Sequence, residues 1–225
     1  MIHGGVANET KVHIKSIHSE EITRKNAADK LAGLDGILVA PGFGIRGVEG
    51  KINAVEYARV NKIPFMGICL GMQCAVIEFA RNVLGYADAH SREMDSDTKH
   101  PVIDIMAEQK NIVNMGGTMR LGAYPCKVSE NSNLYVAYGE TMISERHRHR
   151  YEFNNEFMEE FKNHGMKITG VNPDTNLVEV VEVEDHPWYV AAQYHPEYKS
   201  TVAKPHPLFV GFVKAMLKHH DNNAK

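Results

Sequence analysis

The chain has 225 residues, 43% of them hydrophobic, and its 25 basic and 28 acidic side chains leave a net charge of −3 with the histidines neutral. That is enough apolar material for one sizeable core, and the near balance of charge leaves no basic footprint for nucleic acid, so a small-molecule substrate is expected. No apolar run approaches the roughly 20 residues that span a bilayer, no signal-peptide pattern opens the sequence, and three cysteines without metal-ligand spacing suit free thiols in a reducing cytoplasm.

In chain order, residues 11–17 (KVHIKSI) alternate as a strand, 26–34 read as a short helix, and the apolar run 36–40 (GILVA) is a buried strand ending at Pro41-Gly42. The loop PGFGIRGVEGK leads to a helix near 53–60. Pro64 opens a second buried strand over 65–68, and helical spacing follows in 70–81. This rhythm predicts an α/β fold: a mostly parallel open sheet with flanking helices, its site at the carboxyl ends of the strands. Residues 82–101 are polar and turn-rich, and 114–125 (NMGGTMRLGAYP) combine three glycines with a lone arginine; both are expected to be functional surface loops. A helix over 155–164 stops at Gly165, the segments KITGVN, LVEVVEV and WYVAAQY form three later strands, and 208–219 close the chain as a helix. No repeat interrupts what reads as one domain over 1–225.

Cys69 stands at the hinge between the 65–68 strand and the 70–81 helix, inside GICLG. A sharp strand-to-helix turn lifts such a residue above the sheet, and glycines two residues either side let neighbouring backbone pack close. The helix amino terminus is expected to lower the thiol's pKa, since its dipole favours the attacking thiolate. A small core cysteine is the competing assignment. A thiolate nucleophile requires a histidine and a group to orient it. In WYVAAQYHPEYKS an apolar strand ends at His195, and Pro196 disfavours a helical conformation there. Residues i and i+2 of an extended segment share a side, which places Glu197 where it accepts the His195 ring N–H. Cys74 and Cys126 lack such partners and are read as packing residues.

GICLGMQ together with QYHPE resembles the class I (triad) glutamine amidotransferases, whose order is Cys, His, Glu. Within them GFGIRGVEGKI, GGTMRLG, RHRHRYEFNN, LVEVVEVEDHPWYVAAQYHPE and HPLFVGF resemble the glutaminase domains of the CTP synthase family, and these segments cover nearly the whole chain. The resemblance implies a flavodoxin-like class I glutaminase architecture and a division of labour: Cys69 attacks the amide of L-glutamine, His195 moves the proton, and Glu197 holds the imidazole. It places the oxyanion donors at the N–H groups of Gly42 and Leu70, and substrate contacts at Gly42, Leu70, Gly71, Met72, Gln73, Glu93 (for the α-ammonium) and Arg150 (for the α-carboxylate). The family's loop usually reads Pro-Gly-Gly-Phe-Gly, whereas here it is Ala40-Pro41-Gly42-Phe43-Gly44.

By the same resemblance Gly116, Gly117, Thr118 and Arg120 belong to a lid through which GTP acts as an allosteric activator. The ammonia would serve ATP-dependent amination of UTP to CTP. No G-x-x-x-x-G-K-[ST] phosphate loop occurs, so ATP and Mg are assigned to an amidoligase (synthetase) domain absent from this sequence, with no cofactor or metal in this one. Further expectations are a homo-oligomer (tetramer) of the full-length enzyme, a cytoplasmic location, no nucleic acid or membrane partner, and a glutaminase domain lacking its first strand and helix. Read from the residues, ERHRHRY is a basic patch in preference to a metal cluster. A γ-glutamyl hydrolase or other triad amidotransferase, and a non-catalytic scaffold, are the competing functions.

Overall fold

The computed structural model describes residues 1–105 and 119–223. In chain order the elements are α1 (Ile2–Ala7), α2 (Ala27–Leu31), β1 (Ile37–Val39), α3 (Val48–Val60), β2 (Phe65–Ile68), α4 (Leu70–Asn82), β3 (His90–Ser91), β4 (Pro101–Ile105), β5 (Arg120–Val128), α5 (Asn133–Tyr138), β6 (Met142–His149), β7 (Tyr151–Phe153), α6 (Met158–Asn163), β8 (Met166–Val171), β9 (Val178–Val183), β10 (Tyr189–Ala192) and α7 (Pro207–Asn223). Among the described residues a seven-stranded sheet runs β1-β2-β10-β9-β8-β5-β6, and a smaller sheet runs β3-β4-β7.

The α/β class with helices flanking an open sheet is as expected, but strand polarity divides the large sheet. β1, β2 and β10 are parallel, whereas β10, β9, β8, β5 and β6 are antiparallel neighbours, so the sheet is mixed and not mostly parallel. The cause is connection length: short turns join β8 to β9 and β9 to β10, and a short turn reverses the chain. Helical crossovers serve the parallel part, where α3 and α4 cover one face and α5 and α7 the other. Strand alternation distributes β10 between them, with Tyr189 and Ala191 in the core under α3 and α4 and Val190 and Ala192 in the core under α7.

Residues 11–17 form no strand. Ile14 is 62% exposed, so the alternation marks no buried face, and no described strand pairs with the segment. α3 begins at Val48, earlier than its spacing suggests, because Gly47 enters it at φ 70°. Within it a side chain on Gly50 would overlap the Ser19 carbonyl oxygen, so the 19–21 turn lies directly on the helix. The tightest approach is at the end of β2. A Cβ on Gly67 would sit 2.8 Å from the Gly71 carbonyl carbon, and one on Gly71 would overlap the Val39 carbonyl oxygen. α4 is thereby drawn onto β1 and β2 at its first turn. Gly71→Ala should cost about 1–3 kcal/mol or more of unfolding free energy. Urea denaturation is the measurement, and a midpoint equal to that of the parent chain would show that the contact yields freely.

Candidate active site

Cys69 occupies the single residue between β2 and α4, at φ 52° and ψ −104°, a left-handed conformation that costs a side-chain-bearing residue of order 1–3 kcal/mol. The surroundings hold it there. Its N–H donates to Ala192 O on β10 at 2.8 Å, and its carbonyl accepts from Met72 N at 3.0 Å and Gln73 N at 3.2 Å. The Leu70 N–H, at the head of α4, points to the thiol. Burial nevertheless pushes the Cys69 thiol up to about 12, against the Leu70 N–H and the Gln193 side chain that draw it down, while Glu197 and Glu93 raise it further. The helix terminus therefore does not deliver the lowered pKa expected from sequence, because burial outweighs it. Cys74 and Cys126 are fully buried packing residues, and burial raises Cys74 to about 12 as well.

The candidate base, His195, stands on the neighbouring strand end. Ile68 pairs with Ala192, so Cys69 and His195 follow adjacent parallel strands. His195 Nδ1–H donates to Glu197 Oε1 at 2.6 Å, and among the described residues its Nε2 has no hydrogen-bond partner. The pair does not meet across an extended segment as expected. β10 ends at Ala192 and Pro196–Lys199 form a 3-10 turn, which curls Glu197 back to the imidazole. The same turn lays Tyr198 flat on His195, ring centroids 4.8 Å apart and planes 7° from parallel. The His195 N–H is held by Arg146 O at 2.8 Å.

A pocket opens beside Cys69, lined by Gly42, Phe43, Gln73, Glu93, Met119, His149, Arg150 and Tyr151. Gly42, Gln73, Glu93 and Arg150 are thus brought together with the nucleophile, and they supply both charge signs in one cleft. Gln73 is fixed by Nε2–H donation to Tyr151 O at 3.2 Å, and the Gly44 N–H reaches Glu93 Oε1 at 3.4 Å. Gly42 faces Leu70, whose Cδ2 would lie 3.2 Å from a Cβ there. Gly71 and Met72 serve as buried first-turn packing under the pocket. Sequence reasoning missed Phe43, Met119, His149, Tyr151 and Gln193. Only the strict alternation of β6 carried a signal for His149.

That alternation also corrects the assignment of ERHRHRY. Ile143, Glu145, His147 and His149 point inward and Ser144, Arg146 and Arg148 outward, so only the arginines of the stretch present charge to solvent while its histidines are core residues; among the described residues no group of three or more His, Cys, Asp or Glu side chains is placed to hold a metal ion. Inside, His147 Nδ1 and His149 Nε2 are 2.7 Å apart, next to Arg120. Arg120, assigned to the lid from the sequence, does not lie in an exposed loop. It is buried at the start of β5, its Nη1 donating to Glu152 Oε2 at 3.0 Å and its Nη2 to Glu179 Oε1 at 2.8 Å, with the guanidinium over the Tyr124 ring. Alternation along β5 turns it into the sheet against the Glu152 and Glu179 side chains; burial works against its charge, and the hydrogen bonds and charge of the two glutamates raise its pKa in spite of that. The other three residues assigned to the lid, Gly116, Gly117 and Thr118, lie outside the described residues.

A family model, glutamine amidotransferase class-I, matches residues 1–215. A CTP synthase of Flavobacterium johnsoniae is 62% identical over 219 residues, 97% of this chain and 41% of that protein. A CTP synthase of Clostridium beijerinckii is 62% identical over 218 residues, with the same shares. The chain thus spans about two-fifths of the length of these relatives. Among solved structures, the glutaminase domain of Trypanosoma brucei CTPS with bound acivicin is similar at a TM-score of 0.91 and 38% identity, covering 96% of this chain and 85% of that one. A putative GMP synthase protein of Thermoplasma acidophilum shares the fold at a TM-score of 0.65 and 16% identity, covering 98% of this chain and 89% of that one.

The buried groups beneath the pocket give opposite pH signatures. Burial holds His149 neutral down to about 3, whereas in the unfolded chain it takes a proton below 6.5; its contribution is complete above 6.5 and is lost as the pH falls toward 3. Burial pushes Glu152 from 4.5 up to about 8, so its contribution is complete below 4.5 and is lost as the pH rises toward 8. Urea midpoints measured between about pH 4 and pH 8 should fall toward acid more steeply in the parent chain than in His149→Gln, and toward base more steeply than in Glu152→Gln. Parallel profiles would show that neither group is coupled to folding.

Proposed function

The chain belongs to the class-I glutamine amidotransferases, and on that premise we propose that it hydrolyses L-glutamine through a cysteine thioester. The observation that carries this reading is the pairing of strand ends: a thiol at a left-handed elbow, next to a histidine whose Nδ1 is held by Glu197 and whose Nε2 is uncommitted among the described residues. The Cys69 sulfur attacks the side-chain amide carbon, and its proton passes to His195 Nε2. The negative charge that develops on the amide oxygen is taken up by the N–H groups of Gly42 and Leu70. His195 then gives the proton to the departing nitrogen, which leaves as ammonia. Water, deprotonated by the same imidazole, attacks the thioester; glutamate departs and the thiol is restored. Arg150 suits the α-carboxylate and Glu93 the α-ammonium, since a guanidinium pairs with a carboxylate through two parallel bonds.

The chain resembles part of the CTP synthases, and the ammonia is accordingly assigned to amination of UTP to CTP on a synthetase domain that carries ATP and Mg. The same reading includes GTP as activator, without Arg120 as its contact, and a cytoplasmic homotetramer. Among the described residues no helix is long and apolar enough to cross a membrane.

Acivicin, bound in the related Trypanosoma brucei domain, should label Cys69 and spare Cys74 and Cys126; labelling of either of the latter would remove Cys69 from its role. Ammonia release should vanish in Cys69→Ala and persist at a reduced rate in Glu197→Ala, because the carboxylate orients and does not react. Arg150→Ala should chiefly raise KM for glutamine, and an unaltered KM at full activity would place the α-carboxylate elsewhere. A protein that binds glutamine and releases no ammonia would be a scaffold.

A further inference from the structure

In a 3-10 turn the side chains at i and i+3 eclipse one another. His195 caps the turn Pro196–Lys199, and Tyr198 stands three residues on, its N–H donating to His195 O at 3.2 Å. The backbone therefore lays one ring on the other, with centroids 4.8 Å apart and planes 7° from parallel. His195 is 3% exposed and Tyr198 48% exposed, so the tyrosine covers an imidazole face while nearly half of it stays in solvent. Neither hydrophobic core includes Tyr198, and it does not line the pocket beside Cys69. Its one close ring contact is with the imidazole.

We propose that Tyr198 is a positioning residue, whose ring fixes the plane of the His195 imidazole and thereby the direction of Nε2 beside the Cys69 elbow. The torsion that turns a histidine ring about its Cβ–Cγ bond is broad and has no sharp wells of its own. The bond from His195 N–H to Arg146 O at 2.8 Å holds the main chain and not the ring. Glu197 pins one corner of the ring, Nδ1, and a single hydrogen bond there leaves the plane free to tilt about it. At the far corner, Nε2 has no partner among the described residues to oppose that tilt. A flat ring against one face removes it. Small misplacements of a reacting group are costly in rate, so a residue that never meets the substrate acts on the reaction through the base. The proposal rests on His195 taking the Cys69 proton, as in the glutaminase reading.

The test is the rate at which iodoacetamide alkylates Cys69, followed by peptide mapping in the full-length protein, with Tyr198→Ala and Tyr198→Phe made alone and together with His195→Gln. Tyr198→Ala should slow alkylation roughly tenfold and lower kcat for glutamine hydrolysis by a similar factor, with KM within about twofold, since the base's orientation matters to the reacting complex alone. Tyr198→Phe keeps the ring face and should restore both rates. Tyr198→Gln, of similar reach and without a ring, decides the matter if the alanine variant does not fold. In the His195→Gln background Tyr198→Ala should change alkylation by less than about twofold, because no imidazole is left to position. An equal slowing with and without His195, or alkylation of Tyr198→Ala at the parent rate, would overturn the proposal. Alkylation needs no glutamine, so a parent chain whose Cys69 reacts in this Tyr198-dependent way but releases no ammonia would fault the glutaminase reading and leave the positioning role standing.

Discussion

A single residue must carry the chain from β2 into α4, and everything at the site depends on how closely the two ends of that residue are held. The glycines at 67 and 71 remove the atoms that would otherwise separate the helix from β1 and its own strand. The resulting contact fixes Cys69 in a conformation that a side-chain-bearing residue adopts only under constraint from its neighbours. The strain is met by three backbone hydrogen bonds and by the bulk of two cores that meet at the sheet. The parallel trio of strands then sets Cys69 and His195 side by side, and the opposite wall of the pocket comes from β6 at the antiparallel edge of the large sheet and β7 of the smaller one.

That opposite wall is not built as an exposed binding surface usually is. Beneath Arg150 and Tyr151 lies a packed arrangement of one guanidinium, two carboxylates and two imidazoles, all buried. Removing one partner from such an arrangement strands the others, which makes it costly to disturb and gives it a definite geometry. Arg120 bridges β7 and β9 through Glu152 and Glu179, so the pocket wall is tied to the strand next to β10. The position of Arg150 over the cleft therefore depends on charges that never meet the substrate.

The sequence displayed the parts whose physics is local. The turn from 67 to 71 was legible because a cysteine between glycines at the end of an apolar run has few structural uses, and His195 with Glu197 because proline restricts the residue before it. The elements around them followed from apolar runs and turn residues, as in β1, β2 and α4. What stayed hidden depends on long-range pairing. Strand polarity is set by which segments meet, so the antiparallel half was not visible in WYVAAQY or LVEVVEV. Residues 11–17 show a period of two that no buried face confirms. Arg120 looked like a loop arginine because its partners, Glu152 and Glu179, are 32 and 59 residues away. The lowered thiol pKa failed for a related reason: the dipole is a property of one helix, whereas desolvation is contributed by the whole fold.

The stacking of Tyr198 on His195 has a dynamic consequence. The ring that lies on the imidazole and the carboxylate that holds it ride on the same four-residue turn, Pro196–Lys199, which Lys199 pins to the Ser144 carbonyl at 2.6 Å. Opening that turn releases the imidazole from both partners together while leaving the elbow at Cys69 intact. The freedom of the imidazole and the local opening of this segment are therefore one equilibrium, and amide hydrogen exchange of Tyr198, whose N–H is bonded to His195 O, reports the fraction of molecules in which the ring is free to rotate.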